Sequence, residues 1–126
     1  MKPTKRKLVV WAGTTFTQQF QFGTGTTDED GNTVIDTPTD MNGWTARMQV
    51  RTSIDSEDVV LELTTENDRI SIDGDNGIVN LLIDAETTAG LTAQSYAYDL
   101  ELIKDDEVTV YKPFYGGFTV KAEVTR

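Results

Sequence analysis

Apolar and polar side chains alternate along most of this chain with a period of two, the spacing that puts successive residues on opposite faces of a pleated strand. Phe16, Gln18, Phe20 and Phe22 alternate with Thr17, Gln19 and Gln21. Trp44, Ala46, Met48 and Val50 share one face, and Thr45, Arg47, Gln49 and Arg51 the other. Tyr96, Tyr98, Leu100 and Leu102 alternate with Ala97, Asp99 and Glu101, and Phe118, Val120, Ala122 and Val124 with Thr119, Lys121, Glu123 and Thr125. Each of these stretches predicts a half-buried strand.

Shorter signals fill the gaps. Leu8–Trp11 is an apolar run ended by a turn at Gly13. A polar turn at Ser53–Asp58 precedes Val59–Thr64, Arg69–Ile72 and Ile78–Ile83. These three runs read as a meander whose last turn is Asp73-Gly74-Asp75-Asn76-Gly77. Asp84, followed by Ala85–Ala89 and Gly90, has the order of a capped helical turn closed by glycine. After a turn at Lys104–Glu107, Val108–Phe114 is the expected hairpin partner of the Tyr96 strand. Gly23–Asn42 changes to Gly, Thr, Asp and Pro, with Val34 and Ile35 as its apolar anchors, and reads as a long hairpin loop.

About eight or nine short strands at regular spacing predict an all-β fold, an antiparallel immunoglobulin-like β-sandwich with one short helical turn. The expected inward set is Phe16, Phe20, Trp44, Met48, Leu61, Leu63, Ile70, Leu82, Tyr98, Leu100, Phe118 and Val120. A length of 126 residues suits one such core, so residues 8–126 are expected to form a single domain preceded by a basic arm at residues 1–7.

Charge sharpens this division. Lys2, Lys5, Arg6 and Lys7 cluster at the start of a chain whose net charge is −10. That balance disfavours nucleic acid, whose binding depends on cations that displace counterions from phosphates. The basic arm reads either as a solvated terminus or as a segment that docks on an acidic neighbour. Arg47 and Arg51 present a second pair of guanidinium groups, which could grip a partner's carboxylates or the chain's own Glu62, Asp99 and Glu101. No apolar stretch approaches the ~18 residues of a membrane-spanning helix, and the five apolar residues after the basic cluster are too few for a signal peptide. Neither a membrane role nor export is expected.

The chain has no histidine and no cysteine, which removes the commonest general base, the usual zinc ligands and thiol nucleophiles. Its carboxylates lie mainly in turns such as Asp28-Glu29-Asp30 and Asp105-Asp106-Glu107. Asp73–Gly77 departs from a calcium loop, because Gly77 and Ile78 stand where an acidic ligand and a glycine belong. Gly23-Thr24-Gly25 lacks the lysine and helix start of a phosphate loop. The expectation is a protein without catalytic residues, metal or cofactor. Tyr96, Tyr111 and Tyr115 offer an aromatic platform for sugar or protein, although at least two of them are expected to pack inward.

The ordered series Trp44–Arg51, Leu61–Thr65, Tyr96–Leu102 and Val120–Arg126, with Asp84–Leu91 and Gly116–Lys121 between them, resembles a group of small structural proteins of tailed bacteriophages and prophages. More distantly it is similar to the N-terminal domain of phage baseplate upper proteins, although no C-terminal receptor-binding module is expected here. The resemblance implies a virion component made in the host cytoplasm: a neck, collar, tail or fibre-attachment adaptor, or a capsid decoration. It would act in many copies through contacts with other virion proteins or with itself. A carbohydrate-binding module of a receptor-recognition apparatus is the alternative expectation.

Overall fold

In a computed structural model describing residues 2–27 and 29–123, the alternating stretches become strands of two facing sheets. The first is built from β1 (Thr4–Lys5), β2 (Leu8–Trp11), β6 (Thr45–Arg51), β7 (Val59–Thr64), β10 (Ser95–Ile103) and β11 (Val110–Lys121). The second holds β3 (Phe16–Gln21), β8 (Ile70–Asp73) and β9 (Ile78–Ile83). Between β3 and β6 the chain makes a separate ribbon of β4 (Gly23–Thr27) and β5 (Thr33–Pro38).

The strand order is that of an immunoglobulin-like sandwich of the variable kind. The large sheet runs β7-β6-β10-β11, and both β1 and β2 pair in parallel with the free edge of β11. The small sheet runs β3-β9-β8. Between β9 and β10 lies α1 (Ala85–Ala89), with the Asp84 carboxylate accepting from the Thr87 backbone N–H. Tyr96, near the start of β10, donates its hydroxyl to the Thr92 carbonyl at 2.7 Å, the corner that pins this crossover in such sandwiches. The buried Thr88 hydroxyl ties α1 to the β2–β3 turn, donating to Thr14 O at 2.7 Å and accepting from Gly13 N–H at 3.1 Å.

The core lies between the two sheets. Phe118 is fully buried and meets Phe16, Tyr96 and Tyr98 edge-on, with ring centroids 6.3–6.5 Å apart. Met48, Leu63, Ile70, Leu81, Ile83 and Leu100 belong to the same buried cluster. Each contributes roughly 1.5–3 kcal/mol by leaving water. Trp44 and Phe16 are half-buried at the margins, Trp44 stacking on Tyr111 with centroids 5.7 Å apart.

Three expectations change and one is sharpened. Leu82 faces out, 47 % exposed, because β9 carries apolar residues on both faces and its inward face is Val79, Leu81 and Ile83. The three-strand meander is broken: β7 belongs to the large sheet and β8-β9 to the small one, so the chain crosses between layers after Thr64. The expected hairpin loop at Gly23–Asn42 is an antiparallel β-ribbon over Gly23–Thr27 and Thr33–Pro38. Its base is stitched to the sandwich by Phe22 N–H to Gly77 O, Thr39 N–H to Phe22 O and Met41 N–H to Gly74 O. Finally, the two strands expected after residue 108 are one strand, β11, bent at Lys112–Pro113, where two residues oppose Glu101 in a bulge. Val124 and Thr125, expected to finish the last alternation, lie outside the described residues, as does Asp28.

Candidate interaction face

The inward side chains of β6, β7, β10 and β11 fill the core, and their outward neighbours form one broad face. Cross-strand register sets Arg47 beside Glu101, Gln49 beside Asp99 and Arg51 beside Ala97. Along the next seam Asp99 faces Tyr115 and Ala97 faces Gly117. Alternation of this kind dictates the chemistry of the face before any partner is considered.

The charges on its central strands are spent internally. Arg47 Nε lies 2.8 Å from Glu101 Oε2, and Lys112 Nζ 2.9 Å from Asp99 Oδ2. The hydrogen bond and charge of Asp99 hold the Lys112 ammonium above its usual range. Arg51 donates to Ser56 O and to Gln49 Oε1, each at 2.7 Å, and Gln49 passes the chain on by donating to Glu62 at 3.0 Å. Arg47 and Arg51 are therefore engaged with their own sheet. Being exposed, such pairs each contribute at most about 1 kcal/mol.

The basic N-terminal segment is laid along the edge of the sandwich. Thr4 and Lys5 pair with Phe114 and Tyr115, and Arg6 N–H donates to Tyr115 O at 2.8 Å. The Arg6 guanidinium sits 5.0 Å from the ring centre of Phe20 and 5.7 Å from that of Phe114, a cation held over two aromatic faces from opposite sheets. Phe20 and Phe114 themselves stack at 4.5 Å. Lys2, Lys5 and Lys7 remain exposed.

Between this edge strand and the Ser53–Glu57 loop lies a trough of about 740 Å³, continuous with a second of about 400 Å³ toward Arg51 and Glu101. Ala97 and Gly117 form its floor, Tyr115 and Lys5 one wall, and Ile54 the other. Ile54 is 85 % exposed and Tyr115 40 %. The two glycines of β11 differ in kind. At Gly116 φ is +147°, and a Cβ would come within 2.8 Å of Arg6 O, so the close approach of the N-terminal strand requires glycine. At Gly117 a Cβ would meet nothing within 4 Å.

The three tyrosines do not form a platform. Tyr96 is buried, Tyr111 stacks on Trp44, and Tyr115 alone is exposed beside the trough. At the opposite turns Asn76 Nδ2 donates to Asp73 and Asn42 Nδ2 to Asp75, each at 2.8 Å. No cluster of three or more histidine, cysteine, aspartate or glutamate side chains fit to hold a metal occurs among the described residues. The trough residues Ile54, Ala97 and Gly117 were not picked out by sequence reasoning. The available signal was a glycine in mid-strand beside a second one that the fold does require.

No family model and no curated protein matches this chain. Among solved structures, a family 123 glycoside hydrolase from Clostridium perfringens, studied for glycolipid glycan hydrolysis, aligns with 97 % of this chain at 13 % identity and a TM-score of 0.37. The chain spans 23 % of that enzyme's length. A likeness at this level carries no inference about activity.

Proposed function

We propose that this chain is a non-enzymatic structural protein of a tailed-bacteriophage virion, working by multicopy contacts with its neighbours as an adaptor of the neck, tail or fibre, or as a capsid decoration. The observation that carries the contact role is the outer face of the large sheet. Arg47, Glu101, Lys112 and Asp99 are paired in place, and its centre offers bare backbone flanked by the exposed Ile54 and Tyr115. Such a surface suits shape-matched protein contact, in which a depleted charge core and a few apolar anchors supply affinity. The assignment to a virion rests on the ordered strand series from Trp44 to Lys121 and its resemblance to phage structural proteins.

A second reading, a carbohydrate-binding module, is favoured by one feature: Tyr115 exposes its ring beside a trough of ligand size. Cryo-electron microscopy of the particle encoded with this gene separates the two. Ordered copies in contact with neighbouring subunits support the structural role. Absence of the chain from particles, or saccharide density against Tyr115, overturns it.

A further inference from the structure

Glycine inside a strand costs stability through the freedom it loses on folding, and it persists where a turn, a bulge or a closely approaching group needs it. Gly116 is accounted for by Arg6 O. Gly117 is not: its backbone carries no left-handed angle, and the space above it is open. Its cross-strand partner Ala97 is also small, so the sheet is stripped to backbone at one spot. A large apolar side chain, Ile54, projects into solvent on the wall of the same trough, 85 % exposed and without a place in the chain's own core. Knob and hole therefore lie on one face, which is the self-complementary arrangement a two-fold contact demands.

Charge selects the same occupant. Two copies carrying −10 each repel over most of their surfaces. On this face Arg47 cancels Glu101, Lys112 cancels Asp99, and Arg51 is linked through Gln49 to Glu62, while the trough linings add Lys5 and Glu57, one of each sign, so these eight groups sum to zero. Like chains can meet here without the repulsion they meet elsewhere. We infer that the outer face of the large sheet is a two-fold interface between copies of this chain, with Ile54 of each copy seated over Ala97 and Gly117 of the other. The inference deepens the multicopy structural role proposed above and rests on it.

Sedimentation velocity of the full chain over a concentration series tests it. The expected result is a monomer–dimer equilibrium that Ile54→Asp and Gly117→Arg each weaken at least ~30-fold, the scale of a lost interface hot spot. Both variants should keep the native unfolding temperature, since one site is solvent-exposed and the other has room for a side chain. The chain has no native cysteine. A mixture of Ile54→Cys and Gly117→Cys chains should therefore oxidise to a mixed dimer faster than either chain alone. A chain that stays monomeric at every concentration, variants that dimerise like the parent, or no preference for the mixed disulfide would overturn the inference. So would a monomer whose Ala97 and Tyr115 amide signals shift with an oligosaccharide. A chain found in particles with this face open to solvent defeats the interface alone. A dimer of a chain absent from particles defeats the virion role alone.

Discussion

The phenolic hydroxyl of Tyr98 donates to the main-chain carbonyl of Arg6 at 2.6 Å, joining residues 92 positions apart. Tyr98 belongs to the central strand β10, and Arg6 belongs to the edge segment that caps the aromatic pair Phe20–Phe114. One bond thus fastens the start of the chain to the middle of the large sheet, beneath Gly116.

This bond makes stability depend on alkaline pH. Burial holds the Tyr98 phenol neutral and pushes its pKa from 10.0 up to about 12, against a smaller opposing pull from the Arg6 charge. A group whose folded pKa is raised contributes stability that is full below its unfolded pKa and lost as pH climbs to the folded one. Stability should therefore fall between pH 10 and about 12, by up to about 2–3 kcal/mol from this group. Tyr98→Phe should cost about 1 kcal/mol at neutral pH, through the carbonyl left without its donor. Urea unfolding of both proteins across that range checks the difference: the variant should lack the parent's extra alkaline loss.

The adjacent glycines should respond in opposite directions to the same substitution. Gly116→Ala forces a Cβ against Arg6 O in a backbone region that L side chains avoid, and should destabilise by about 1–3 kcal/mol. Gly117→Ala adds a side chain in open space and restricts the unfolded chain, so it should stabilise by roughly 0.5–1 kcal/mol. Thermal unfolding of the two variants side by side decides this. Equal effects would show that the distinction between the two sites is wrong.

Thr88 offers a sharper test of the crossover. Its hydroxyl serves Gly13 N–H and Thr14 O from a fully buried position. Thr88→Val preserves shape but leaves Gly13 N–H without its acceptor and Thr14 O without its donor, so a loss of about 1–3 kcal/mol is expected. Thr88→Ser, which keeps the hydroxyl, should lose less. Chemical denaturation distinguishes them.

The β4–β5 ribbon pairs chiefly with itself, so its removal should leave the sandwich intact. Replacing residues 24–37 with a short turn should shift the unfolding temperature by no more than a few degrees. Loss of cooperative unfolding would mean that the ribbon supports the core after all.

Why some of this was legible in the chain and some was not follows from what each element buries. Tyr96–Leu102 and Trp44–Arg51 lie between a core and a wetted face, so their alternation is written plainly. The ribbon has no face to bury, and Gly23, Thr24, Gly25, Thr26 and Thr27 are all exposed, so backbone pairing left no apolar period to detect. In β9 the opposite holds: Leu81 and Leu82 are both apolar, and sequence could not say which points inward. β11 was legible only as two pieces because the bulge at Lys112–Pro113 and the side-chain-free Gly116 and Gly117 interrupt its alternation without ending its pairing. For the candidate site, Arg47 and Arg51 were visible as cations, but their satisfaction by Glu101, Gln49 and Ser56 depends on register. The basic cluster was visible too, while the fate of Arg6 depended on two phenylalanines from different sheets.

The parallel pairing of β1 and β2 with β11 has a mechanical consequence. Thr4 lies level with Phe114 and Trp11 with Lys121, so tension applied between residues 4 and 121 pulls the two strands along their length in opposite senses. Every hydrogen bond of that seam then carries the load together, where an antiparallel closure would let them break one after another. The sandwich resists being drawn out by its two ends, as a lap joint resists shear.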